Sequence, residues 1–402
     1  AWNGPCRKRG WIDGPHSTRR HKLPAQDGRH RMTDSPFQTA RRIVVKTGSA
    51  LIADGGAARA EWLARLASDI ADLRARGKQV ILVSSGAVAL GRVDLGSPSP
   101  ARLDQKQAAA AIGQPRLMAA MAGAFSSHGI TVGQALLTLS DTEIRRRWLN
   151  ARATLDTLLD AGIVPVINEN DTVATDEIRY GDNDRLAARV AQMMGADLLV
   201  LLSDIDGLYT ADPNSDPGAT HIPVLKALSA EHDAMATGAN ATAGVGSGGM
   251  VTKLAAARIA HAAGCSTIIT RGNRDHPLRA IEDGALATLI VADITPARAR
   301  EAWLMGHLKP EGTIRVDAGA ARALQGGASL LAVGVTGVDG VFERGAAVAV
   351  RHDGGDVIAK GVTSYGSADI LRIAGLQSED VEAALGYRGR PAVIHRDDMV
   401  RV

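Results

Sequence analysis

From residue 42 onward, short runs of consecutive apolar residues alternate with longer stretches in which apolar positions recur every three or four residues. The runs "RIVVK", "QVILVSS", "TVGQALL", "IVPVI", "DLLVLLS" and "STIIT" read as strands. "VILV" and "LLVLL" lack the in-out alternation of a half-exposed sheet, as strands covered on both faces should. Between them "AEWLARLASDIADLRARG", "ARLDQKQAAAAIGQPRLMAAMAGAF", "RRWLNARATLDTLLDAG", "DRLAARVAQMMGA" and "MVTKLAAARIAHAAG" read as helices. In the first, Leu63, Leu66, Ile70 and Leu73 keep helical spacing and Gly77 stands where a helix stops. The alternation predicts an α/β fold, an αβα sandwich around a mainly parallel sheet, over residues 41–296. Residues 297–311 read as a linker. From Gly312 to Val402, short β-like runs such as "GTIRV", "AAVAVRH" and "VIAKGV", split by glycine, predict a small, mostly β second domain.

Composition changes this picture little. The chain has 402 residues, long enough for two domains, and its 3% aromatic content suits closely packed α/β layers better than an all-β sandwich. Charge changes it more, because the net +3 is unevenly spread. Residues 1 to 42 hold ten Lys/Arg against three Asp, whereas the rest holds 36 basic against 40 acidic residues. Residues 1–40, rich in Arg, His, Gly and Pro without helical or strand period, read as a disordered basic leader outside the fold. The leader shows no apolar run of signal-peptide length and no stretch suits a bilayer, so a cytoplasmic location is expected, with no membrane partner. Cys6 and Cys265 alone can form neither a disulfide framework nor a metal cluster, and no protein-held metal is expected.

In open α/β sheets ligands bind beyond the carboxyl ends of the strands, so the residues after each apolar run carry the chemistry. "VVKTGSA" puts Lys46 at the end of the first strand, and "LVSSGAVALG" puts Ser85 at a strand-to-helix turn. "NEND" places Asn168, Glu169, Asn170 and Asp171 after "IVPVI". "YGDNDRLA" brings Asn183 and Asp184 to a helix start, and "GVGSGGMVTK" is a glycine-rich loop entering the helix that carries Lys253. Each alone has a plainer reading: a lysine at a strand edge, a Ser-Gly turn, an Asx cap, a flexible connection. Together at one sheet edge they resemble a phosphoryl-transfer site. Glycines admit phosphate oxygens to backbone N–H groups, a helix N-terminus adds positive potential, and two lysines neutralise the transferred group.

In order, "VVKTGSA", "VSSGAVALG", "PVINENDTVAT", "YGDNDRLAA", "LLSDIDGLYTADP" and "GVGSGGMVTKLAAA" resemble the amino acid kinase family, and "INEND" with "GDND" resembles its glutamate 5-kinase branch. The stretch from "GTIRVDAGAARAL" to "VIHRDDMV" resembles the PUA domain. The first motif departs from the family's Lys-x-Gly-Thr-Ser, reading Lys46-Thr47-Gly48-Ser49-Ala50.

The resemblance implies ATP-dependent phosphorylation of the γ-carboxylate of L-glutamate, the step toward proline, with Mg²⁺ bridging the ATP phosphates. It implies Lys46 and Lys253 on the phosphates, with Asp184 holding them in register. Ser85, Asn168, Asp171 and Asn183 would hold glutamate. Lys46, Ser203, Asp204, Ser247, Gly248, Gly249, Met250, Val251, Thr252 and Lys253 would line the nucleotide site. Within the tetrad, Asp171 is expected to meet the substrate and Glu169 to scaffold the turn. Proline as feedback inhibitor and a dimeric or tetrameric assembly are further implications.

An RNA-binding or RNA-modification accessory role through the PUA-like tail is the alternative. Charge opposes it, since Gly312 to Val402 holds ten Lys/Arg against eleven Asp/Glu, where a phosphate-binding face needs a basic excess. Nucleic acid is therefore not an expected partner.

Overall fold

Eight strands make the central sheet: β1 (Arg42–Thr47), β2 (Gln79–Ser84), β3 (Val132–Leu137), β4 (Val164–Glu169), β5 (Leu198–Ser203), β6 (Val224–Leu225), β7 (Ser266–Arg271) and β8 (Ala287–Ile290). The computed structural model describes residues 35–96, 102–174, 182–213, 215–239, 249–307, 309–353 and 355–402. The strands lie in the order β6-β8-β7-β5-β1-β2-β4-β3, and every neighbouring pair is parallel except β7 with β8.

Consecutive apolar runs bury both faces. Val44, Ile81, Val83, Leu199 and Leu201 meet one helical layer, and Ile43, Val45, Val80, Leu82, Val200 and Leu202 meet the other. The first layer includes α5 (Asp182–Met194) and α6 (Met250–Ala262); the second is built on α2 (Ala60–Ala75) and α3 (Leu103–Ser126). The short helix α1 (Pro36–Thr39) precedes β1, and its Phe37 is fully buried in the second layer's core. Part of the stretch read as leader thus belongs to the fold, since Phe37 is buried in that core even though its neighbours are largely polar.

A second sheet follows, with strands β9 (Gly312–Val316), β10 (Val335–Asp339), β11 (Ala347–His352), β12 (Val357–Val362) and β13 (Met399–Arg401) in the order β10-β9-β11-β12-β13. Its core is separate, centred on Ile314, Val348, Val350, Ile370 and Ile394. The stretch read as a linker holds most of a helix, α7 (Pro296–His307). The two units touch through α4 (Arg145–Asp160), whose Trp148 and Leu149 pack on Ala347, Val362 and Val400. Arg152 of the same helix pairs with Asp398 at 2.5 Å, and Arg390 donates to the Leu149 carbonyl at 2.8 Å.

Candidate active site

β1 has β2 on one side and β5 on the other, so chain connections leave in opposite directions beside it and open a crevice at the strand ends. The register sets Lys46 opposite Val83 and Leu201, and Thr47 opposite Ser84 and Leu202. After β2 the chain turns through Gly86 at φ 108°, a conformation that glycine alone takes without strain. The helix that follows, Ala87–Gly91, lies directly against α3. A Cβ on Gly113 would stand 1.8 Å from the Ala87 carbonyl oxygen, and one on Gly91 1.9 Å from that of Ala109, so only two glycines permit this approach. It brings Ser85 and Gln114 to the same crevice.

Asp184, in the first turn of α5, is fully buried. Its Oδ1 lies 2.6 Å from Lys46 Nζ, and its Oδ2 lies 3.5 Å from Lys253 Nζ and accepts from Thr252 Oγ1 at 3.0 Å. Burial raises the pKa of this carboxyl, but the two ammonium groups outweigh it and hold it below the usual carboxylate range. Lys253 is shifted down, first by burial and then by Lys46, against the opposing pull of Asp184 and Asp204. Two cations around one carboxylate give the trio a net positive charge. Beside them α6 starts at Gly249, which caps with extended backbone and no side-chain acceptor, leaving the positive end of the helix dipole toward the crevice.

Across the crevice the polar tetrad divides its work. Asn168 is buried; its Nδ2 donates to Gln114 Oε1 at 2.8 Å, and its Oδ1 accepts from Glu169 N at 2.9 Å and Asn183 Nδ2 at 3.3 Å. Asn183 Nδ2 also donates to Ser85 Oγ at 2.7 Å, while its Oδ1 is buried without a donor among the described residues. Ser85, Asn183, Asn168 and Gln114 therefore form one continuous chain of side chains. Glu169 closes β4 opposite Leu137. Asn170 builds the turn that follows: its side chain accepts from Thr172 Oγ1 at 2.8 Å and its carbonyl accepts from Val173 and Ala174 N. Burial raises the Asp171 carboxyl to about 6, and among the described residues no donor or cation pairs with it.

On the nucleotide side, Ser203 ends β5 and donates to Asp204 Oδ1 at 2.8 Å, with Asp204 exposed at the rim. Ser247 and Gly248 lie outside the described residues. Met250 turns into the core of the first layer, so its side chain packs under the sheet; Val251 is exposed. Thr252, expected only as a lining residue, is an Asp184 partner. Gln114 escaped the reading because a lone glutamine inside an alanine-rich helix carries no motif, although "AIGQPR" interrupts that helix's apolar text.

An open-sheet crevice with two lysines on one carboxylate, a helix N-terminus and a facing amide network defines the class: a small-molecule phosphotransferase. The amino acid kinase family matches residues 41–271, and the PUA domain matches residues 312–385. The glutamate 5-kinase of Caulobacter vibrioides (strain NA1000 / CB15N) is 61% identical over 366 residues, covering 90% of this chain and 97% of that one. Those of Paramagnetospirillum magneticum (56% over 368 residues, 91% and 99% covered) and Paracoccus denitrificans (54% over 362 residues, 90% and 97% covered) are similar along the same length. The chain belongs to the amino acid kinase family, and within it to the glutamate 5-kinases.

Proposed function

We propose that the chain transfers the γ-phosphoryl group of ATP to the side-chain carboxylate of L-glutamate, giving L-glutamyl 5-phosphate and ADP, the first step toward proline. The observation that carries this is Asp184 holding Lys46 and Lys253 from separate elements, with the Ser85–Asn183–Asn168 chain running through the residue next to Asp184. A γ-carboxylate oxygen of glutamate forms the new bond to phosphorus while the bond to the β–γ bridging oxygen breaks, its electron pair leaving on ADP. The attacking carboxylate is ionised at neutral pH, so no proton is removed and no general base is required; positioning and charge neutralisation do the catalysis.

Lys46 and Lys253 take the charge on the transferred group, and Asp184 fixes their ammoniums. Asp171 takes the substrate ammonium, since no cation pairs with its half-buried carboxylate among the described residues. Ser85, Asn168 and Asn183 orient the amino acid through Asn183 Oδ1, which has no donor among the described residues. Ser203, Asp204 and the loop entering α6 at Gly249 hold the nucleotide. Mg²⁺ fits as the companion of ATP: it would neutralise phosphate charge, with Asp204 the carboxylate at the rim beside Lys253. Residues 41–296 form the kinase unit, 297–311 connect it and 312–402 form the PUA unit in this reading. Proline inhibition, a dimer or tetramer and a cytoplasmic location rest on family membership; among the described residues no helix is long and apolar enough to cross a membrane.

The test is incubation with ATP, Mg²⁺, L-glutamate and hydroxylamine, which traps an acyl phosphate as a hydroxamate. Glutamyl hydroxamate formed with ADP, and none from aspartate or acetylglutamate, is expected. ADP without hydroxamate, or equal product from aspartate, would overturn the assignment.

A further inference from the structure

Away from the transfer site, a cavity of about 730 Å³ lies between the α/β layers and the second sheet. Its walls come from α4, α5, α6 and α7 on one side and from Val362 and Asp398 on the other. Four arginines line it (Arg145 and Arg152 from α4, Arg189 from α5, Arg300 from α7) against two carboxylates, Glu143 and Asp398. Asp398 is already held by Arg152, and Glu143 stands 4.0 Å from Arg189. Arg189 Nε is buried with no acceptor among the described residues. Arg300 has neither an ion pair nor a hydrogen bond among them, and burial followed by repulsion from Arg152 depresses its pKa against the weaker pull of Asp398 and Asp397. Guanidinium donors left unspent beside like charges are costly unless an anion completes them. The remaining wall is largely apolar, with Trp148, Leu149, Met193 and Ala299, and the volume falls in the usual range for small organic ligands.

We propose that this cavity is a second ligand site, for a phosphorylated small molecule of nucleotide size whose phosphate meets Arg189 and Arg300 and whose apolar body lies against Trp148. The guanidinium fork matches phosphate oxygens in pairs, and several arginines around one cavity suit a group carrying more than one charge. The two helices that present Asp184 and Lys253 to the transfer site, α5 and α6, also supply Arg189, Gln192 and Ala262 to this cavity from their opposite ends. A ligand here therefore bears on both elements of the transfer site at once. The coupling half of the proposal rests on the kinase reading; the binding half does not.

The test is calorimetry on the full chain held at saturating AMP-PNP and Mg²⁺, titrated with AMP and, separately, with adenosine. AMP should bind at one site per chain and adenosine should not. Arg300→Gln and Arg189→Gln should each weaken AMP by about tenfold or more, the loss of one charge-assisted hydrogen bond. Arg300→Lys, which keeps the charge and loses the fork, should fall between, and thermal melts should show all three variants folded. Absence of AMP binding, or affinity unchanged in the folded Arg189→Gln/Arg300→Gln double variant, would overturn the site. Loss of the signal in Lys253→Met instead would place AMP in the transfer crevice and overturn it equally. A phosphorylation rate that AMP alters in the unaltered chain and leaves alone in Arg300→Gln supports the coupling, and a rate indifferent to AMP in both removes it.

Discussion

Asp184 and Lys46 meet at 2.6 Å, the lysine from the end of the central strand and the carboxylate from the first turn of α5, both sealed from solvent. Because Lys253 shares the same carboxylate, removing its charge leaves two buried ammoniums facing each other. Asp184→Asn should lower kcat by about a hundredfold or more and destabilise the fold by about 3–5 kcal/mol. The sign of its pH dependence follows from the lowered carboxyl pKa. A group more acidic in the fold than its ordinary 3.8 contributes stability that is complete above that value and is lost as pH falls through the folded one. Urea denaturation at pH 7 and at successively lower pH should show this acid loss in the unaltered chain and a smaller one in Asp184→Asn.

Lys253→Met separates catalysis from folding. The methionine fills the buried volume without the desolvation that already depresses the lysine, so the melting temperature should hardly move. Turnover should drop by about a hundred- to a thousandfold, since one preorganised charge at the transferred group is gone. The glutamate KM should stay within about threefold, because the lysine meets phosphate and not the amino acid. A KM effect larger than the kcat effect would reassign Lys253 to the acceptor side.

Asp171 works in the opposite direction from Asp184. Its carboxyl, raised to about 6 by burial, binds a proton more tightly in the fold than in the unfolded chain, so stability falls as pH rises from the ordinary 3.8 through about 6. The free enzyme should accordingly bind glutamate better as pH rises through about 6, when the carboxylate becomes available to the substrate ammonium. Asp171→Asn should flatten that profile, raise the glutamate KM by about tenfold or more, and leave the protein at neutral pH as stable as before or more so. Initial rates from pH 5 to 8, with melts at each pH, check all three. A variant with unchanged KM would take Asp171 out of the substrate site.

The strands, the helical layers and the two separate units were readable because each rests on a local period: Leu63, Leu66, Ile70 and Leu73 mark one face of α2 wherever the helix goes. The Lys46, Asp184 and Lys253 trio was readable only through motif order, since no spacing brings together three residues that far apart in the chain. The division of labour in the tetrad was not readable. That Asn170 starts the turn depends on how far β4 pairs with β3, a tertiary fact. Phe37 was hidden by its polar neighbours, and Gln114 by being one polar side chain whose partner, Asn168, comes from another layer.

The Gly91–Gly113 contact gives a last prediction that depends on shape alone. Each glycine's missing side chain is occupied by the other helix's backbone, at 1.9 and 1.8 Å from where a Cβ would stand, and backbone atoms cannot step aside as a flexible side chain would. Alanine is the better helix former, so an exposed Gly→Ala in α3 would add stability. Here the clash should outweigh that gain, and Gly113→Ala should cost about 1–3 kcal/mol, as overpacked cores do. The same displacement would move Ser85, just ahead of the short helix, away from Asn183, so the glutamate KM should rise while the ATP KM holds. Gly123→Ala in the same helix, where no atom lies within 4 Å of the new methyl, is the control and should be neutral or stabilising. Denaturation midpoints and paired KM values for the two variants decide it: equal midpoints would mean that the helices can part at no cost, and the close approach would then not be what sets Ser85 against Asn183.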